Sequence, residues 1–184
     1  TQFGMPLGPL ALADEVGLDV GYKVAKLLEE GYGSRMAVAS SFDSIYNTNK
    51  LLGKKTGRGF YIHDGKKKQI NQDVLDLIHF NQSIGTKKVS KQQLLDRLIL
   101  IMVNEAARCL DEGVVESPEL LDMAMIMGTG FPPFRGGLCR YVDDIGAKII
   151  VDQLIALSNE FGERFIPANG LTEMANKNRY YYIS

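Results

Sequence analysis

The sequence holds two histidines, His63 and His79, and histidine is the side chain most often used for general acid or base catalysis. Each has a carboxylate close in sequence, Asp64 beside His63 and Asp76 three residues before His79. Neither spacing is specific to proton transfer, so both histidines are assigned to packing or surface roles. A dinucleotide site needs Gly-x-Gly-x-x-Gly after a strand, where the glycines let the backbone approach a pyrophosphate at a helix N-terminus. The nearest string, Gly128-Thr129-Gly130-Phe131-Pro132-Pro133, lacks the third glycine and follows a helical pattern. Cys109 and Cys139 have no Cys-x-x-Cys partner and no nearby pair of histidines, which excludes the usual zinc spacings and leaves reduced, buried thiols. No catalytic residue and no metal ligand is assigned.

Three groups of residues could bind rather than react. Lys54, Lys55, Arg58, Lys66, Lys67 and Lys68 crowd around the glycine-rich Phe60-Tyr61 segment, as a site for a phosphate-like anion would; a solvated lysine-rich loop is the favoured reading. Met5, Leu7 and Leu10 stand beside prolines and could line an apolar groove, although core packing accounts for them equally well. Asn104 and Glu105 sit on a long helical pattern, where hydrogen bonding to a neighbouring backbone is the expected use.

The elements that must position these residues are helical. Gly8-Pro9 fits a helix start, because proline lacks only an N–H that would be unsatisfied there; that helix runs from Pro9 to about Val16 and stops at Gly17. A second helix, entered at Asp19 and closed by Gly31, places Val20, Val24, Leu27 and Leu28 on one stripe. A less regular helix falls within 35–52, with Phe42, Ile45, Tyr46 and Leu52 inward. Three glycines then lead into a brief aromatic-aliphatic strand ending at His63, and Asp64-Gly65 marks a turn. Ile70, Val74, Leu77 and Ile78 keep helical spacing, and residues 84–90 read as a linker. Ser90-Lys-Gln-Gln93 is a capping box that opens the longest helix, with Leu94, Leu95, Leu98, Ile101, Met102, Ala106 and Leu110 as its apolar face and Gly113 past its end. Ser117-Pro118 opens the next helix, through about Met127. A short helix to Ile145, one over Lys148 to Phe161, and one near Leu171 to Ala175 complete an all-α chain with at most one small extended segment.

Composition sets the outer limits. Lys plus Arg number 21 against 22 Asp plus Glu, so no global field points to nucleic acid or an anionic membrane. A hydrophobic content of 45% supplies the core of one large domain or two small ones. No apolar run reaches the roughly 18 to 20 residues of a spanning helix, and the first residues do not resemble a signal peptide.

The stretch Phe3 to Gly21 returns, altered, at Gly130 to Gly146: a Gly/Pro turn, a short helix, and an acidic-acidic-aliphatic-Gly close, Asp14 to Gly17 and Asp143 to Gly146. The copies differ by three residues inserted in the turn. The second copy has a full helical run ahead of its turn, whereas the first begins two residues into the chain. The expectation is a duplicated unit whose first repeat is truncated at its N-terminus, with domains over 1–84 and 85–184.

On these residues a resemblance can be stated. Gly4-Met-Pro-Leu-Gly-Pro-Leu-Ala-Leu-Ala-Asp-Glu-Val-Gly-Leu-Asp19, Lys55-Thr-Gly-Arg-Gly-Phe-Tyr61, Asn104-Glu-Ala106, Glu112-Gly113 and Gly130-Phe-Pro-Pro-Phe-Arg-Gly-Gly137 resemble the C-terminal domains of L-3-hydroxyacyl-CoA dehydrogenases. The tandem copy and the tail around Asn176-Lys-Asn-Arg-Tyr-Tyr181 are similar to the multifunctional fatty acid oxidation enzymes, the bacterial oxidation-complex alpha subunit and the mitochondrial trifunctional alpha subunit.

The resemblance implies a duplicated helical domain of the 6-phosphogluconate-dehydrogenase C-terminal type. It implies a parent that oxidises 3-hydroxyacyl-CoA with NAD and hydrates 2-enoyl-CoA, with the NAD and hydratase domains, the catalytic His-Glu pair and a helper Asn all before Thr1. Asp96-Arg97-Leu98 stands where the family has Asn-Arg-Leu, so the second repeat reads as a structural copy that reproduces a dimer-like contact within one chain. Met5, Pro6 and Leu7 would form the wall over the acyl chain, or simply make the turn. Implied partners are acyl-CoA, the other domains of the same chain and a thiolase beta subunit. The implied setting is the bacterial cytoplasm or the mitochondrial matrix, with membrane association in the mitochondrial case. A chain with these residues alone is expected to be inactive. The rival expectation is a non-catalytic helical module that holds acyl-CoA or thiolase.

Overall fold

A computed structural model describes residues 2–48, 50–65, 67–80 and 89–182, with only the backbone considered for Lys67, Lys68, His79 and Phe80. The expected linker at 84–90 lies outside these residues except for its last two. The chain separates into two compact units, Leu7–Lys88 and Val89–Ser184, and the first residues, Thr1–Pro6, belong with the second of them.

In the N-terminal unit, α1 (Pro9–Val16), α2 (Leu18–Tyr32) and α3 (Ser40–Asn47) precede an antiparallel hairpin, β1 (Tyr61–Asp64) and β2 (Lys67–Ile70), and α4 (Gln72–Phe80) follows. Gly17 ends α1 and caps α2 at φ 101°, a conformation that favours glycine, so the two helices meet with that single residue between them. The core is small: Leu18, Ile45, Leu51 and Val74, with Phe42, Phe60 and Leu77 packed round it. The hairpin register pairs Tyr61 with Ile70 and Asp64 with Lys67, so the extended segment is a two-stranded ribbon where the sequence pattern showed one strand. Ile70 lies on that ribbon, 67% exposed, outside α4.

Another sequence expectation fails here. The stripe Val20, Val24, Leu27 and Leu28 lies on the surface, 41–67% exposed, and α2 buries Leu18 instead. Periodicity marks an apolar face without saying what covers it.

The C-terminal unit consists of α5 (Lys91–Asp111), α6 (Pro118–Thr129), α7 (Leu138–Ile145), α8 (Ala147–Phe161) and α9 (Asn169–Lys177). The reciprocal capping box forms at Ser90 and Gln93, and Ser117 caps α6 with Pro118 at its first position. Val103, Phe131, Leu138, Val142, Ile150, Leu154 and Leu171 make the centre of a larger core. The buried face of α5 is Ile99, Leu100, Val103, Asn104, Ala106 and Ala107. Leu94 and Leu98, expected inside, are 48% and 45% exposed. A helix rich in aliphatics offers two candidate stripes, and the neighbours decide which is covered. Ile155 of α8 is likewise on the surface, while Ile150 and Leu154 are fully buried.

Candidate functional site

Asp14 lies at the end of α1 with no exposed surface. Its carboxylate accepts the backbone N–H of Phe60 at 2.8 Å and of Tyr61 at 2.9 Å, and its Oδ2 is 2.8 Å from Nε2 of His63. Glycine is required where this carboxylate meets the loop. A Cβ on Gly59 would lie 2.7 Å from Cγ of Asp14 and 2.6 Å from Cα of Gly53, and one on Gly53 would strike the Asp14 backbone. The string Gly53-Lys-Lys-Thr-Gly-Arg-Gly-Phe-Tyr61 thus wraps a buried carboxylate. His63 is committed to that carboxylate, and no acid–base role is derived for it. The side chain of His79 lies outside the described residues.

The basic cluster is neutralised where it is described. Lys54 pairs with Glu15 at 2.9 Å, Arg58 with Asp73 at 2.7 Å, and Lys55 with Asp19, whose carboxyl the lysine holds below its ordinary range. A cradle for an anion would leave such cations facing one point. These face their own carboxylates, and the side chains of Lys66, Lys67 and Lys68 lie outside the described residues.

The C-terminal unit carries a matching node. Asp143, at the end of α7, accepts the N–H groups of Tyr181 and Tyr182, both at 2.9 Å. Asp122 on α6 accepts Cys139 N–H at 2.8 Å, Arg140 N–H at 3.0 Å and the Tyr182 hydroxyl at 2.7 Å, which satisfies orphan donors at the start of α7. Burial, then the neighbouring Asp122, push the Cys139 thiol far up, so it is not a nucleophile near neutral pH. Asn104 is fully buried; its amide donates to the Ile166 carbonyl at 2.8 Å and accepts from Ala168 N–H at 2.8 Å, the backbone role expected of it.

The candidate wall is divided. Met5 packs against the core of the C-terminal unit, and Pro6 lies against Gly130, where a Cβ would come within 3.1 Å of its ring. Leu7, the first residue of the other unit, is 36% exposed. An open groove of about 440 Å³, lined by Gln2, Phe3, Lys91, Gln92, Leu94, Leu95 and Leu98, and one of about 520 Å³ at Thr48, Lys50, Leu51, Arg58, Asp73, Asp76 and Leu77, contain none of the three.

Neither unit offers a dinucleotide cradle among the described residues. The strands among the described residues form an antiparallel ribbon, and Gly128-Thr129-Gly130 sits where α6 ends rather than where a helix begins. The residues present therefore do not fit NAD, and no step through it is derived from them. The described residues also contain no group of three His, Cys, Asp or Glu side chains able to hold a metal, and no helix long and apolar enough to cross a membrane.

Asp14, Asp143, Asp122 and the glycines that admit them were not singled out as site residues by sequence reasoning. The repeated acidic-acidic-aliphatic-Gly close was the available signal for the first two. What these nodes define is a helical domain built to hold shape, with its carboxylates spent on backbone donors. Sequence comparison shows that the chain belongs to the family of 3-hydroxyacyl-CoA dehydrogenase C-terminal domains, whose profile matches residues 1–63 and 94–182. The fatty acid oxidation complex subunit alpha of Vibrio vulnificus is 39% identical over 181 residues, covering 98% of this chain and 25% of that protein. The corresponding subunit of Shewanella loihica is 39% identical over 183 residues with the same coverage. The chain thus spans about a quarter of the length of these relatives.

Among solved structures, 3-hydroxybutyryl-CoA dehydrogenase of Escherichia coli K12 superposes with a TM-score of 0.72 at 19% identity, over 95% of this chain and 52% of that one. The dehydrogenase part of multifunctional enzyme 1 from C. elegans gives 0.65 at 24%, over 94% and 39%. At these identities the likeness establishes the fold.

Proposed function

We propose that this chain is the duplicated, C-terminal helical part of an enzyme of fatty acid β-oxidation that oxidises 3-hydroxyacyl-CoA to 3-ketoacyl-CoA with NAD and also hydrates 2-enoyl-CoA. The observation that carries this reading is the 39% identity to oxidation-complex alpha subunits across 98% of the chain. The matched nodes at Asp14 and Asp143, each on two consecutive backbone donors, support the duplication.

NAD, the residues that move the hydroxyl proton, and the hydratase site belong to other parts of the parent polypeptide. NAD supplies the hydride acceptor there. The contribution of this chain is to exclude water and to orient the thioester, with Met5, Pro6 and Leu7 as the wall along the acyl chain. The proposed partners are acyl-CoA, the NAD and hydratase domains of the same chain, and a thiolase beta subunit. The proposed setting is the bacterial cytoplasm or the mitochondrial matrix, the latter with association of the parent at a membrane.

The test compares the parent polypeptide with these 184 residues alone. Reduction of NAD with 3-hydroxyacyl-CoA is expected of the parent and not of the isolated chain. Turnover by the isolated chain, or none by an intact parent, would overturn the reading.

A further inference from the structure

We infer that Arg135, in the second Gly/Pro turn, is a positioning residue for the first one: it clamps Phe3 and so fixes Met5 and Pro6, the proposed substrate wall. Phe3 is 6% exposed and lies in the core of the C-terminal unit, edge-on to Phe131 and to Tyr141 at 5.7 Å each. The Arg135 guanidinium covers its ring at 4.0 Å, while Nε of the same arginine donates to the Phe3 carbonyl at 3.0 Å.

One side chain thus grips both the ring and the backbone of one residue, which a lysine cannot do because it lacks the planar fork. The next residues are fitted to the same turn. Gly4, at φ 113°, backs onto Pro132 and Phe134, where a Cβ would come within 2.8 Å of each, and Pro6 rests on Gly130. Phe3, Gly4 and Pro6 thus each lie against residues 130–135, and Met5 between them packs on the same core. This gives the second Gly/Pro turn a use other than chemistry: it supplies the mould for the first turn.

The inference rests on the wall reading of Met5 and Pro6, and two measurements separate them. The first needs only this chain, which contains no tryptophan. A Phe3→Trp variant reports the clamp through its indole emission, and adding Arg135→Ala should red-shift that emission and raise its acrylamide quenching about threefold or more, with Arg135→Lys between the two. Helix content by circular dichroism should stay unchanged, since Arg135 is outside the core; an unfolded double variant is replaced by Arg135→Gln.

The second uses the full parent polypeptide. Arg135→Ala should raise KM for long-chain 3-hydroxyacyl-CoA about tenfold and leave kcat and KM for NAD within about twofold, because only the mould is loosened. Unchanged quenching overturns the clamp. Increased quenching with unchanged KM, when Met5→Ala raises KM, overturns the positioning role and leaves the wall reading standing. If neither variant alters KM, the wall reading fails and the inference fails with it.

Discussion

Asp143 does in the C-terminal unit what Asp14 does in the N-terminal one: each carboxylate closes a short helix and takes the N–H groups of two consecutive aromatic residues, Tyr181 and Tyr182 or Phe60 and Tyr61. The loops that deliver those donors differ. Around Asp14 the loop needs Gly53 and Gly59 to come close enough, whereas Asp143 meets the chain where it leaves α9. A carboxylate that accepts two main-chain donors fixes a loop more firmly than apolar contact, since removing it strands both donors.

Asp14→Ala should therefore cost about 3 kcal/mol, the penalty of leaving buried donors unpaired. Gly59→Ala should cost about 2–3 kcal/mol by overpacking the same carboxylate. Amide hydrogen exchange localises both effects: Phe60 and Tyr61 lose protection while Tyr181 and Tyr182 keep it, and Asp143→Ala produces the reverse. Equal loss at both nodes from one substitution would refute their independence.

The surface stripe of α2 predicts a contrast with α8. Leu27, 67% exposed, has little contact to lose, so Leu27→Ala should change stability by no more than about 0.5 kcal/mol. Leu154, with no exposed surface, should lose about 3 kcal/mol as alanine, transfer and cavity terms together. Urea midpoints at constant m-value measure both. A large loss at Leu27 in the isolated chain would mean that the stripe is covered.

Helix positions were legible because their punctuation is local. Gly8-Pro9, Gly17, the Ser90–Gln93 box and Ser117-Pro118 each act within one turn of the element they start or stop, and the observed starts fall on them. Which face of a helix is buried depends on neighbours distant in sequence, so Val20, Val24, Leu94 and Leu98 were read as core and are exposed. Buried carboxylates were harder still. Nothing in the composition of Leu12-Ala-Asp-Glu-Val16 says that Asp14 rather than Glu15 turns inward, since the reason lies 46 residues away at Phe60. The sequence offered Met5 and Leu7 as groove candidates and the resemblance added Pro6 and the acyl-chain role, whereas the clamp required seeing Phe3 beside Arg135, 132 residues apart in sequence.

Asn104 predicts a local rather than global loss. Its side chain ties α5 to the segment between α8 and α9 through Ile166 and Ala168, and no other described side chain offers Ala168 its acceptor. Asn104→Leu keeps the branched side-chain shape, though with bulkier methyl groups, and removes these bonds, at about 2 kcal/mol or more. Proteolysis within residues 162–168 should accelerate before any change in overall helix content. Cleavage elsewhere first would place the weak point outside this tie.

The tyrosine cluster at the chain's end makes stability fall at alkaline pH. Burial raises the Tyr181 and Tyr182 hydroxyls well above their ordinary 10.0, with the hydrogen bond to Asp122 adding to the effect on Tyr182, and burial raises the Cys139 thiol above its ordinary 9.0. The folded state therefore holds these protons more tightly than the unfolded chain, so the unfolded state binds fewer protons at high pH and the free energy of unfolding decreases with pH. The stabilisation is complete below about pH 9, begins to be lost as the unfolded thiol ionises, and falls more steeply above about pH 10 as the unfolded tyrosines follow. Urea midpoints of the C-terminal unit measured from pH 7 to 11 should show this decline. Tyr182→Phe should lower stability at pH 7, through the lost bond to Asp122, and flatten the decline above pH 10, because one of the linked protons is gone. A midpoint constant from pH 9 to 11, or a Tyr182→Phe curve parallel to the parent curve, would remove the hydroxyl from the account and leave Asp122 as a helix cap alone.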